Sequence, residues 1–113
     1  MSLVWIYYGN DYRKATDLNP NQVILMIDNG CDGVSKLINY AVNNVLHAGS
    51  YRGATARIYR GGNDEELVHV FVDMADGNRE VMIIVSRNPA DTLFNYYTSA
   101  SSENILECNY GGK

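Results

Sequence analysis

Few side chains in this sequence can do chemistry. There are two cysteines, Cys31 and Cys108, and two histidines, His47 and His69. No Cys-x-x-Cys pair occurs, and the scattered spacings do not suit a zinc site, so no metal is expected. Cys31 lies where a helical pattern opens, and a helix N-terminus lowers a thiol pKa and can activate a nucleophile. Asp28 and Asp32 flank it with charge that acts the other way, so a structural cysteine is the simpler reading. In a reducing compartment the two cysteines are buried thiols; in an oxidising one they form a single disulfide. The count leaves both readings open. As a crosslink the pair would close a loop worth roughly 4–5 kcal/mol in the chain-entropy account.

His47 ends the helical pattern, where a surface histidine complements the negative helix end. His69 falls in the middle of a predicted strand. Period-two alternation puts it on one sheet face with Arg57, Tyr59, Asp73, Asn95, Tyr97 and Glu107. That set is the candidate binding face, although a partly solvated polar face is also what an antiparallel sheet ordinarily carries. Nine tyrosines against two phenylalanines favour an interaction surface. The acidic run Asp64-Glu65-Glu66 is expected in a solvated turn.

The elements that must position these groups follow from periodicity. Leu3 to Tyr8 is β-branched and aromatic and predicts a strand. Val23 to Ile27 is a short apolar run and predicts a second, pairing with the first as a hairpin. Val34, Leu37, Ile38, Ala41, Val42, Val45 and Leu46 form one helical stripe, with Asp32 as N-cap and Gly49 as C-terminal cap. The period then changes to two. Strands are predicted over Thr55–Arg60, Leu67–Asp73, Val81–Ser86, Thr92–Thr98 and Asn104–Asn109, separated by turn residues such as Asp76-Gly77-Asn78. The expected architecture is α+β: an N-terminal hairpin over residues 1–30, then one helix packed on a five-stranded antiparallel meander, all in a single domain over 1–113. Ile27 to Gly33 has the look of an actin-type phosphate loop, but that loop runs into a strand and here a helix follows.

The chain has 113 residues, 46% of them hydrophobic and 19% charged, an ordinary globular mix. A two-lobed kinase or ATPase fold is excluded by size. No apolar run is long enough to span a membrane, and no signal-peptide core stands at the N-terminus, so a soluble protein without a membrane partner is expected. The net charge of −4 disfavours generic binding to a phosphate backbone. No cofactor motif is present.

Hairpin, helix, then a meander ending in a cysteine resembles the small guanosine-specific fungal ribonucleases, and still more the ribonuclease-like secreted effectors of powdery mildew fungi. The likeness runs from about Cys31 onward. It is carried by Cys31-Asp32-Gly33 at the helix start, by the short connection Asn88 to Asp91, and by the segment Tyr97 to Cys108. In the ribonucleases the corresponding C-terminal segment is a catalytic strand, a small-residue loop and a final strand bearing a disulfide cysteine. The resemblance implies a Cys31–Cys108 disulfide and secretion. It also implies an absent enzyme: the catalytic histidine falls at Tyr97 and a supporting arginine near Met82, and neither residue can replace them. Asn29 stands where the effectors usually carry an aromatic residue. The implied function is a secreted pseudo-ribonuclease effector acting in a host plant cell. It would bind RNA or a host protein and be open to detection by an immune receptor, using Arg57, Tyr59, His69, Asp73, Asn95 and Tyr97. The alternatives are an intracellular acidic binding or inhibitor protein with free thiols, and an active nuclease using His69 with Asp73 or Glu66.

Overall fold

The computed structural model of the chain describes residues 4–8, 12–60, 66–85 and 103–112. In chain order these form strands β1 (Trp5–Tyr8) and β2 (Tyr12–Ala15), helices α1 (Pro20–Asp28) and α2 (Gly30–Asn44), and strands β3 (Tyr51–Arg60), β4 (Glu66–Met74), β5 (Arg79–Val85) and β6 (Glu103–Gly111). The strands make one sheet in the order β2-β1-β5-β4-β3-β6. Every neighbouring pair is antiparallel. The architecture is α+β, with both helices on one face.

Two features depart from the sequence reading at the N-terminal side. Val23 to Ile27 is helical, so there are two helices and not one. Asn19 and Gln22 form a capping box: Asn19 Oδ1 accepts from the Gln22 N–H at 3.0 Å, and Gln22 Oε1 accepts from the Asn19 N–H at 2.8 Å. Pro20 stands in the first turn, where its missing N–H costs nothing. These local signals outweigh the strand preference of the β-branched run, and they bury Val23 and Ile27 one helical turn apart. The partner of β1 in the N-terminal hairpin is therefore β2, within a stretch read as loop. This hairpin is part of the main sheet, because β1 also pairs with β5, Ile6 opposite Ile84.

The second helix is shifted from its expected caps. It begins at Gly30, whose φ of +70° turns the chain between the helices. Asp32 is exposed in the first turn and Asn29 occupies the cap position. The helix ends at Asn44, with the left-handed residue being His47 at φ +52° and not Gly49. The stripe Val34, Leu37, Ile38, Ala41, Val42 and Val45 is buried as its spacing requires.

Strands β3, β4 and β5 are the expected meander. The β4–β5 turn is closed by Asp76 Oδ1 accepting from the Asn78 N–H at 2.9 Å. Among the described strands β6 lies on the far side of β3 and not beyond β5, and the sheet numbers six described strands because the hairpin strands β1 and β2 join it. The predicted strand Thr92–Thr98, the connection Asn88 to Asp91 and most of the acidic run lie outside the described residues. Glu66, the one member described, is buried and not solvated. Its Oε1 receives Arg60 Nη2 at 2.6 Å and Nε at 3.2 Å.

The core is a single cluster between the layers. Ile6, Ala54, Ala56, Ile58, Val68, Val70, Val72, Met82 and Ile84 of the sheet meet Val23, Ile27 and the α2 stripe. Cys108 on β6 is in this layer and is bonded to Cys31 in the first turn of α2, with the Cα atoms 5.6 Å apart. Tyr110 donates its hydroxyl to the Cys31 carbonyl at 2.6 Å, tying the same two elements. Burial, with Tyr51 and Asp32 nearby, pushes the Tyr110 hydroxyl up to about 12.

Candidate functional site: the open sheet face

Alternation along β3, β4, β5 and β6 sends every second side chain away from the helices. Three cross-strand rows result. Glu107, Arg57, His69 and Ile83 form one; Asn109, Thr55, Phe71 and Val81 the next; Asp73 and Arg79 stand opposite each other in the third. Of the expected binding residues, Arg57, Tyr59, His69 and Asp73 share this face, with Glu107. Asn95 and Tyr97 lie outside the described residues.

Arg57 and Arg79 are each bonded to a carboxylate of the face. Arg57 Nε donates to Glu107 Oε1 at 2.7 Å, and Arg79 Nε donates to Asp73 Oδ1 at 2.9 Å. These hydrogen bonds, and then the charge behind them, raise both guanidinium pKa values. The Arg57 guanidinium carbon lies 5.6 Å from the centre of the Phe71 ring, a cation–π distance, and the His69 ring stacks on Phe71 at 4.5 Å with a tilt. Burial, and secondly the Arg57 charge, lowers the His69 pKa, so its neutral form is favoured. Thr55 donates to Asn109 Oδ1 at 2.9 Å. Between the charged rows lies a shallow depression of about 250 Å³, lined by Thr55, Arg57, Phe71, Asp73 and Arg79. Among the described residues Val81 and Ile105 are the exposed large apolar side chains of the sheet, at 39% and 37%.

Arg79, Thr55 and Val81 were missed in the sequence. A signal for Arg79 was present: the Asp-Gly-Asn turn fixes the β4–β5 register and so sets Arg79 opposite Asp73. The tyrosine surplus is partly structural. Tyr51 donates to Asn39 Oδ1 at 3.2 Å, Tyr40 bonds to Asp17, and Tyr110 serves the helix–strand junction. Glu66 lies on the opposite side of β4 from His69, so those two do not form a pair. Met82, where the resemblance puts the supporting arginine, points into the core with no exposed surface. His47 is exposed and away from the face. Among the described residues no group of three or more His, Cys, Asp or Glu is placed to hold a metal ion. Among them, too, no helix is long and apolar enough to cross a membrane. No protein-family model, curated protein or solved structure matches the chain.

Proposed function

We propose that the chain is a secreted, catalytically inactive, ribonuclease-like fungal effector. In this reading it acts inside a host plant cell by binding a host protein through the open sheet face, where an intracellular immune receptor can also detect it. The observation that carries the reading is how the carboxylates around His69 are engaged. Glu107 is bonded to Arg57, Asp73 to Arg79, and Glu66 to Arg60 on the far side of the sheet. Splitting RNA through its 2′-hydroxyl needs a base and an acid poised on opposite sides of one phosphate. Among the described residues His69 instead stacks on the Phe71 ring and feels the Arg57 charge. The same pairing weakens the case for RNA as partner, because arginines already neutralised contribute little to phosphate binding in a chain of net charge −4. Aromatic residues and arginine in the middle of a face are what protein interfaces favour. The disulfide supports the secreted reading over the intracellular binding protein.

The test has two arms. Folded protein incubated with a mixed-sequence RNA oligonucleotide should leave it intact; cleavage that vanishes in His69→Ala would overturn the reading in favour of a nuclease. Expressed in leaf tissue, the wild type and Asn43→Asp, on the exposed side of α2, should recover the same host protein. Val81→Asp should not. Equal recovery by Val81→Asp removes the open face from the account.

A further inference from the structure

The elbow between the two helices carries a pattern that the open face does not use. Asn29-Gly30-Cys31 places a thiol two residues after an asparagine, where the acceptor motif for N-linked sugar has the hydroxyl of serine or threonine. No other asparagine of the chain has serine, threonine or cysteine two residues on. A thiol is a weaker donor and acceptor than a hydroxyl, but it is the same kind of group at the same distance along the chain. The fold puts this asparagine where a sugar can be carried. Asn29 is exposed and its side chain does not cap α2; Nδ2 donates to the Leu25 carbonyl at 2.8 Å. A glycosylated amide keeps one N–H, which is enough for that bond. Gly30 turns the chain at φ +70°, and a Cβ there would meet nothing within 4 Å, so the elbow is open on its outer side. One helical turn before Asn29 stands Leu25, at 62% the most exposed large apolar side chain among the described residues. A sugar on Asn29 would lay the C–H face of its ring over that side chain and take its apolar surface out of water.

We propose that Asn29 is an N-glycosylation site, with the Cys31 thiol standing in for the usual hydroxyl. The proposal rests on the reading of the chain as secreted and goes beyond its binding face, since the elbow lies in the helical layer on the other side of the sheet. In the step, Asn29 Nδ2 bonds to the anomeric carbon of a lipid-linked oligosaccharide, the lipid pyrophosphate leaves, and the amide gives up one proton. The disulfide sets the timing. Cys31 must still be a thiol, and Cys108 follows it by 77 residues. At about 5–20 residues per second, Cys31 is without that partner for about 4–15 s of synthesis. Once the bond to Cys108 closes the motif is spent, so the sugar is carried by a fraction of the chains.

The experiment expresses the full chain behind a cleavable leader in a eukaryotic secretory host. Intact mass is read before and after the amidase that removes N-linked sugar and leaves Asp in place of Asn. A fraction of the wild type is expected to carry one glycan, with the amidase product marked at Asn29. Cys108→Ala, which keeps the Cys31 thiol free for longer, should raise that fraction, and Cys31→Ser should bring it to most of the chains. Asn29→Gln and Cys31→Ala should carry none. None of these variants has to fold, because the sugar is added to the chain during synthesis and is read by mass. Wild type without sugar overturns the proposal: if Cys31→Ser is glycosylated the thiol is not accepted, and if it is not, the elbow is not. Sugar on Cys31→Ala removes the role of the thiol, and an unchanged fraction in Cys108→Ala removes the competition with the disulfide. The leader imposes secretion, so failure here leaves the effector reading to the RNA and leaf-tissue tests, and failure there leaves this site standing.

Discussion

His69 is the residue whose surroundings are most legible as chemistry. It is half-buried, stacked on Phe71 and beside the Arg57 charge, and both burial and that charge favour the neutral ring. The sign follows by linkage: a folded-state pKa below the unfolded value of about 6.5 means that the unfolded chain binds more protons in that interval. The stability contributed by neutral His69 is whole above about pH 6.5 and is lost as pH falls from there through the folded pKa. An NMR titration should place the His69 midpoint below about 6.5, and Arg57→Gln should move it upward without restoring the ordinary histidine value, since burial, the larger cause, remains. A midpoint at or above 6.5 would show the ring to be solvated. Period two alone sufficed to place His69 with Arg57 and Asp73. It could not supply the pairing of Arg57 with Glu107, because that depends on how β6 aligns with β3.

At the scale of elements, the errors fall where two local signals conflict. Val23 to Ile27 reads as a strand by composition and as a helix by the capping box four residues earlier, and the cap prevails. The start of α2 was displaced for a similar reason: Gly30 makes the bend, which lets the second helix begin before Asp32. The bend brings the two helices into close contact at Gly33. A Cβ at that position would run into the Met26 carbonyl and press on the Asn29 side chain. The obstacle is backbone, which cannot rotate away. Gly33→Ala should therefore destabilise the fold by about 3 kcal/mol, at the upper end of overpacking costs, although alanine is the better helix former. Denaturant unfolding reads this directly, and a neutral or stabilising result would mean the helices are further apart. By contrast β4 was legible to within one residue at each end and β5 to within two, since their alternation and the turn at Asp76-Gly77-Asn78 agree, while β3 begins at Tyr51, four residues before the expected Thr55.

At the scale of the molecule, the return of β6 to the outer side of β3 was not legible, since a strand's own residues do not say which neighbour it joins. That position gives the disulfide its consequence. Cys108 is buried on an outermost strand of the described sheet, and Cys31 belongs to the helix above it, so one bond joins the two layers where β6 has β3 as its described sheet neighbour. The crosslink spans 77 residues, and confining a loop of that length lowers unfolded-state entropy by about 4.5 kcal/mol at room temperature. Small domains have about 5–15 kcal/mol in total. Reduction, or Cys31→Ala/Cys108→Ala, should lower the urea midpoint by about 2 M or more. The two treatments should agree, since each removes the same constraint. In unfolded, unreduced protein both thiols should resist alkylation and become reactive only after reductant, read by intact mass. Thiols that alkylate without reduction, in protein made under oxidising conditions, would remove the physical basis for a secreted chain and favour the intracellular binding protein, which would use the same open face with free cysteines.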